Sequence, residues 1–520
     1  MIETSAARVG VRPAPRGKAP FDASGIHHGA SGVAHYTELP GSLVEMLRAT
    51  VDRYPDEEAV VEVGGAERLT YRQLWDRAAR VAGGLADSGI RPGDRVANLR
   101  PAGIDWVVVF LGTQLAGAIA VPVNTRFAEP EIEYVLSDSG AVLVLRPGQP
   151  LPEGRPRAVE KLGHDDLAAI FYTSGTTGFP KGAMTTQENF LSSVETTLRV
   201  VGIDRGCGPG LRGLVSVPLF HVAGCDSHLL VNLAVGGCTL VQPIFHVQPF
   251  LRAVVDERVN LITAVPAIYA LIVMQPDFGE FDVGGVHRIS YGGAPIAPEL
   301  VRRIMRAFPN ARVGNGFGLT ETASISTFLP HEWAAAHADS VGFAAPVVDL
   351  AVDRPDAHGV GELLIRGPNV VAGYWNKSQA TRETFVNGWL RSGDLARIDD
   401  DGLVYVVDRA IDMINRGGEN VYSVEVENAL ADAPGVADAA VVGVPDTVMG
   451  EKVGAVLVPA PGAHLDPYAV IDYLRGRLAD FEIPQYIVVR AEPLPRNPAG
   501  KILKRQLREQ ADWGTPLRGR

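Results

Sequence analysis

The segment Tyr172-Thr-Ser-Gly-Thr-Thr-Gly-Phe-Pro-Lys-Gly182 constrains this chain more than any other. It follows a short apolar run, Leu167 to Phe171, that reads as a strand. Glycines let backbone N–H groups approach an anion closely, hydroxyls donate to its oxygens, and Lys181 adds charge. A strand that leads into such a run is expected to present a phosphate-cradling loop. The spacing is not that of a Walker A loop, which needs four residues between its first glycine and a closing Gly-Lys-Ser/Thr. Counted from Gly175, the second glycine position holds Pro180, and Gly182 follows Lys181. The chain is therefore expected to handle a nucleotide through a different loop.

At 520 residues the chain exceeds the usual reach of one hydrophobic core, so two or more domains are expected. A hydrophobic content of 46% and a charged content of 21% are ordinary for a globular protein. The formal net charge of -12 argues against nucleic acid as a partner. Cys207, Cys225 and Cys238 form no Cys-x-x-Cys pair, which suggests neither a zinc site nor a disulfide framework and fits a reducing cytoplasm. Residues 1–40 mix Pro, Gly, Ala, Arg and His without an apolar core and read as a loosely ordered extension, not a secretory leader. The apolar run Trp106 to Val123 has about the length of a membrane span. Gly112, Gln114, Gly117 and Pro122 interrupt it, so a buried helix running into a buried strand at Ala118 to Val123 is the expected structure, with no integral membrane segment.

From Ser42 onward helix and strand patterns alternate. Thr70 with Gln73 has capping-box spacing ahead of an amphipathic run to Asp87, which Gly89 stops. Arg95 to Leu99 and Ala141 to Leu145 read as strands, with a helix from about Gly103 between them; residues 146–166 read as a connecting loop. A second alternating stretch runs from about Gly213 to Val313, including a strand at Asn260 to Ala264 and a helix at Pro298 to Ala307. After Leu350 strands and turns dominate. The expected fold class is α/β, with parallel-rich sheets and helices, a β-rich subdomain and a small mobile α/β C-terminal domain. The expected domains are residues 41–408 and 409–520, divided at Asp408-Arg409.

Other motifs follow the loop in order: Pro218-Leu-Phe-His221, Tyr291-Gly-Gly-Ala-Pro295, Asn315-Gly-Phe-Gly-Leu-Thr-Glu-Thr322, Ser392-Gly-Asp394, Asp408-Arg409, Arg416-Gly-Gly-Glu-Asn420 and Pro498-Ala-Gly-Lys501. Any one of them alone is weak; a lone Glu321 or Asp394 is more often a solvated or structural carboxylate. Together and in this order, from about residue 40 to 510, they resemble the adenylate-forming superfamily of acyl-CoA synthetases, luciferases and peptide-synthetase adenylation domains. The chain is most similar to a fatty-acid- or aryl-CoA ligase.

The resemblance implies ATP, Mg2+ and coenzyme A as cofactors. Thr173, Ser174, Gly175, Thr176, Thr177, Gly178 and Lys181 would hold the phosphates, and Glu321 with Thr177 the magnesium ion, since hard cations prefer oxygen ligands. Gly292, Gly293, Ala294 and Pro295 would line the adenine, with Asn315, Gly316, Phe317 and Gly318 beside it and Thr320 at the α-phosphate. Asp394 and Arg409 would hold the ribose. Lys501 would stabilise charge during adenylate formation, and Lys501, His221, Glu321 and Thr177 would carry the chemistry. The acyl pocket would comprise His221, Val222, Cys225, Ala264, Val265 and Gly318. The small apolar residues at 264–268 and the lack of an aspartate in Phe220 to Gly224 favour an uncharged tail, because a buried ammonium without a partner is costly. Gly417, Gly418 and Glu419 would admit the pantetheine arm.

The sequence departs from the resemblance twice. Ile411 replaces the usual hinge Asp or Lys, and Ser423 replaces a proline after Glu-Asn-Val-Tyr. The expected reaction is activation of a medium- or long-chain fatty acid to an acyl-adenylate, then to its CoA thioester. An aryl acid, loading of an acyl carrier protein, a luciferase-like oxygenase and a non-catalytic AMP-binding protein remain alternatives, and an oligomer is compatible with the sequence.

Overall fold

The computed structural model describes residues 12–65, 67–173, 180–417, 419–496 and 501–517. The chain forms two compact units. The first comprises Met1–Ala351, Leu364–Arg391 and Asp399–Val404; the second comprises Val352–Leu363, Ser392–Ile398 and Tyr405–Arg520.

The first unit contains two parallel-rich sheets. In the smaller, the strands run in the order Leu143–Leu145, Arg95–Asn98, Ile119–Pro122, Leu167–Thr173 and Lys181–Thr186. Only the last is antiparallel to its neighbour. In the larger, six parallel strands run from Arg312–Leu319 through Arg288–Gly292, Leu261–Ala264, Arg212–Val215 and Cys238–Val241 to Glu58–Glu62. Antiparallel strands flank this set on both sides.

The capping box expected at Thr70 is present: its side chain accepts from the Gln73 N–H, and the helix is Tyr71–Asp87. The apolar run becomes the helix Ile104–Leu115 followed by the strand Ile119–Pro122. Within that helix Trp106 stacks on Phe110 with centroids 5.4 Å apart, and Phe110 meets Phe190 edge-on. Full burial of each such large apolar side chain stabilises the fold by about 1.5–3 kcal/mol. A Cβ at Gly112 would lie 2.6 Å from Val81 Cγ1, so this glycine permits a close helix–helix crossing. Among the described residues no helix is long and apolar enough to cross a membrane.

The connecting loop is docked on the helix Tyr71–Asp87, not draped past it. Gly154 N–H donates to Arg80 O and Arg157 N–H to Ala79 O. A Cβ at Gly83 would lie 2.1 Å from Arg155 O.

Residues 12–40 differ from the expectation of a loosely ordered extension. Ile26–His28 and Ala34–Tyr36 form a hairpin, and the Tyr36 hydroxyl bonds Thr196 Oγ1 at 2.9 Å. Arg16 donates to Ala345 O and Val348 O at 2.7 and 2.9 Å. The stretch is held by single polar and aromatic anchors, which an average composition hides.

In the second unit the strands Glu419–Val421, Ile414–Arg416, Gly450–Pro459 and Val436–Asp446 form an antiparallel sheet, with Tyr486–Val489 parallel to Gly450–Pro459. Val426, Leu430, Val441, Val453, Leu457 and Leu474 make its core. The fold class is the α/β arrangement expected from the sequence.

Candidate active site

The strand Leu167–Thr173 returns antiparallel through Lys181–Thr186, with Thr173 directly opposite Lys181. That pair fixes both ends of the expected phosphate loop. Ser174, Gly175, Thr176, Thr177 and Gly178 lie outside the described residues. On the return strand a Cβ at Gly182 would lie 2.6 Å from Ile170 Cγ2, so the hairpin needs glycine there.

The neighbouring segment is bonded to the same strand, with Trp375 N–H donating to Gly182 O and Met184 N–H to Gly373 O. This sets the Tyr374 ring beside Lys181, whose Nζ is 5.1 Å from the ring centroid, within cation–π range. The Tyr374 hydroxyl donates to Glu321 Oε1 at 2.6 Å. Burial first, then the Glu321 carboxylate, pushes the Tyr374 phenol up, so it stays protonated and keeps donating. One tyrosine thus joins the loop's lysine to the expected metal carboxylate. Tyr374 carried no motif of its own in the sequence.

Glu321 is held by its backbone. The strand Arg312–Leu319 turns through a single tight helical turn, Thr320–Thr322, stapled by a 2.8 Å bond from Leu319 N–H to Thr322 Oγ1. Ala323 and Ser324 then take φ of 43° and 95°. Left-handed backbone at non-glycine residues costs on the order of 1–3 kcal/mol each and persists only where surroundings impose it. Here Asn369 Nδ2 donates to Thr322 O and Ile325 O at 3.2 and 3.3 Å, and Val371 N–H donates to Glu321 O. A Cβ at Gly318 would fall 1.4 Å from Ser324 O, so only glycine fits.

The remaining motifs of this unit gather at the carboxyl ends of parallel strands, where α/β sheets bind ligands. Ala264, Tyr291 and Asn315 are register neighbours on three adjacent strands, and Gly292 faces Gly316. A Cβ at Gly292 would lie 2.1 Å from Gly316 O. Val265, Gly293, Ala294 and Pro295 follow these strand ends, and Ala294 and Pro295 are exposed. Phe317, Gly318 and Thr320 are half-buried. Buried Asn315 donates to Ser340 O at 3.3 Å. His221 precedes the short helix Val222–Gly224, its ring 4.8 Å from that of Phe220. Val222 and Cys225 are buried and join the main core around Phe190 and Leu219.

The chain continues as a π-helical turn, Cys225–Leu230, an uncommon element that recurs at functional sites. It buries Asp226 and His228. Burial holds the Asp226 carboxyl well above the usual range, against a smaller pull from the Ser193 hydroxyl, and pushes His228 down to about 4.

In the second unit buried Asp394 Oδ1 lies 3.3 Å from Arg409 Nε. Asp394 N–H donates to Ser392 Oγ, and Ala410 N–H to Gly393 O. Gly417, at φ 64°, leads the turn of a hairpin closed by Arg416 opposite Glu419; its Cβ would lie 2.5 Å from Met449 Cε. Gly418 lies outside the described residues, and Glu419 is exposed. Lys501 is exposed beside the bridge between Arg496 and Ile502, just ahead of the helix Lys504–Gln510. Pro498, Ala499 and Gly500 lie outside the described residues.

Among the described residues no three His, Cys, Asp or Glu side chains converge as a metal cage. Glu321 offers a single carboxylate, which fits Mg2+, an ion that keeps its waters and shares its ligands with substrate phosphates.

The family model described as "AMP-binding enzyme" matches residues 47–155 and 146–375, and that of its C-terminal domain matches 425–501. The chain belongs to the AMP-binding enzyme family. It is similar to a long-chain-fatty-acid–CoA ligase, FadD13, of Mycobacterium tuberculosis, 37% identical over 91% of this chain and 99% of that protein. It is also similar to a feruloyl-CoA synthase of an Amycolatopsis species, 37% identical over 86% of this chain and 94% of that one. The crystal structure of ATP-bound MatB from Rhodopseudomonas palustris matches with a TM-score of 0.82 at 30% identity, covering 90% of this chain and 98% of that chain. This AMP-binding enzyme is an acid–thiol ligase that activates a carboxylic acid with ATP, the reaction class expected from its motifs.

Proposed function

We propose that this enzyme joins a medium- or long-chain fatty acid to coenzyme A through an acyl-adenylate. The observation that carries the reading is the meeting of Lys181, Tyr374 and Glu321 beside the strand ends that bear Gly292 and Asn315–Thr320. Attack of a carboxylate on the α-phosphate brings two anions together, so the site must neutralise charge and hold geometry at once.

In this reading Thr173, Ser174, Gly175, Thr176, Thr177, Gly178 and Lys181 hold the β- and γ-phosphates. Glu321 with Thr177 would hold Mg2+, which supplies charge neutralisation when bound with ATP. Gly292 to Pro295 and Asn315 to Gly318 take the adenine, Thr320 the α-phosphate, and Asp394 with Arg409 the ribose. His221, Val222, Cys225, Ala264, Val265 and Gly318 meet the acyl chain; Gly417, Gly418 and Glu419 admit the thiol arm. Lys501 stabilises the charge that develops as the adenylate forms. Residues 41–408 form the ATP- and acid-binding domain and 409–520 a mobile domain that serves both half-reactions, in the cytoplasm.

AMP release from purified enzyme, measured with ATP, Mg2+ and CoA over a panel of straight-chain fatty acids and hydroxycinnamic acids, tests the reading. Fastest turnover on a medium or long alkyl chain supports it. Preference for the aryl acids would replace the substrate, and turnover only with a phosphopantetheinyl carrier protein would replace the acceptor.

A further inference from the structure

Ser423 opens the helix Ser423–Ala431 at the position where the family resemblance leads one to expect proline. Its backbone N–H and its hydroxyl are both in use. Its backbone N–H donates to Asp408 Oδ2 at 2.5 Å, while Asp408 Oδ1 accepts from Arg409 N–H at 2.7 Å. Its hydroxyl accepts from Lys504 Nζ at 2.5 Å, and the same ammonium lies 2.9 Å from Glu427 Oε1. Glu427 Oε1 in turn accepts from Val441 N–H at 2.8 Å. Ser423 and Asp408 are fully buried. Burial lifts the carboxyls of Asp408 and Glu427, and the Lys504 charge draws both back down. A proline at 423 has no N–H and no hydroxyl, so it could make neither bond.

The string has a direction along the chain. Asp408 precedes the turn that carries exposed Ile411, where Asp412 and Met413 N–H both donate to Arg409 O; Ser423 and Lys504 follow it. Asp408, this turn and Ser423 lie in one compact unit here, and a rotation of the backbone within residues 409–412 would move Asp408 away from Ser423 and break the bond between them. We propose that Asp408, Ser423 and Lys504 form a polar latch across the turn at Ile411, and that Ser423 is a positioning residue setting the balance between the two half-reactions. The proposal rests on the two-step reading above. A buried hydrogen bond to a charged group is strong enough to shift such a balance roughly tenfold or more.

The full-length enzyme with Ser423→Pro, Ser423→Ala and Ser423→Thr tests this. Pro removes both bonds, Ala only that of the hydroxyl, and Thr keeps both. Two readouts apply: trypsin cleavage at Arg409 without substrates, and the ratio of single-turnover rates for acyl-adenylate formation and for thioester formation from supplied acyl-adenylate. Expected are faster cleavage and a ratio shifted roughly tenfold in Ser423→Pro, a smaller shift in Ser423→Ala and parental behaviour in Ser423→Thr. If Ser423→Pro does not fold, Asp408→Asn, which weakens the same bond, must show the faster cleavage. Parental cleavage together with a parental ratio in the folded variants would overturn the latch. A parent enzyme that forms no acyl-adenylate from any acid would instead overturn the two-step reading, and the cleavage readout would still decide the latch.

Discussion

The Tyr374 hydroxyl lies 2.6 Å from Glu321 Oε1, and the face of the same ring lies 5.1 Å from the Lys181 ammonium. The tyrosine holds one carboxylate oxygen by hydrogen bond and steadies the cation through its π system. Its two contacts are separable by mutation.

Tyr374→Phe keeps the ring and removes only the donor. Loss of a hydrogen bond to a charged acceptor should lower kcat/KM for ATP by roughly 10- to 100-fold. Tyr374→Leu, which also removes the ring, should cost more. An ATP titration at saturating acid and Mg2+ gives the comparison, and an unchanged kcat/KM in Tyr374→Phe would show that the bond is only structural.

Lys501 stands exposed ahead of the last helix, far along the chain from Lys181. Lys501→Ala should slow acyl-adenylate formation by roughly 10²- to 10³-fold, the scale of one lost electrostatic donor. Thioester formation from supplied acyl-adenylate should continue. Equal losses in both half-reactions would reassign the lysine to structure.

Opposite pH slopes should appear at the buried turn after His221. The folded His228 titrates at about 4, below its ordinary 6.5, so its stability contribution is present above 6.5 and is lost as pH falls toward 4. That loss amounts to on the order of 3 kcal/mol. The Asp226 carboxyl is raised above its ordinary 3.8, so its contribution is present below that value and is lost as pH rises through the folded pKa. In the parent the two oppose each other over the acid range. Asp226→Asn should therefore melt progressively earlier on acidification below 6.5, while His228→Gln should melt later. Thermal melts across that range check the signs, and parallel slopes in both variants would contradict them.

Under the proposed assignment, Ala264 and Val265 make the acid side apolar. Affinity for straight-chain acids should rise about 0.8 kcal/mol per methylene, roughly fourfold, until the pocket ends. Free α-amino acids should exchange pyrophosphate poorly, and efficient exchange with any of them would refute an apolar site.

Local rules made much of the fold legible. Thr70 with Gln73 announced a cap that formed, and interruptions at Gly117 and Pro122 marked the apolar run as helix and strand. The motif residues were legible because glycines and charges cluster in short segments. Tyr374 was not, because its meaning depends on the strand Lys181–Thr186, far earlier in the chain, reached only when Trp375 N–H bonds Gly182 O. The same holds for Lys504: next to Lys501 it reads as one more basic residue, and only the folded unit brings it to Ser423. Arg16 and Tyr36 show the converse, a stretch of unpromising composition anchored by a few long side chains.

Gly318 sets a boundary for redesign. Its missing side chain is filled by the Ser324 carbonyl, and that carbonyl is where it is because Ala323 and Ser324 bend back under the grip of Asn369. A library aimed at a new acid preference would waste its variants at 318, since any side chain there must first unmake the turn that presents Glu321. Under the proposed assignment, diversity belongs at Ala264 and Val265, at the end of the strand Leu261–Ala264, a different strand from the one that leads into that turn.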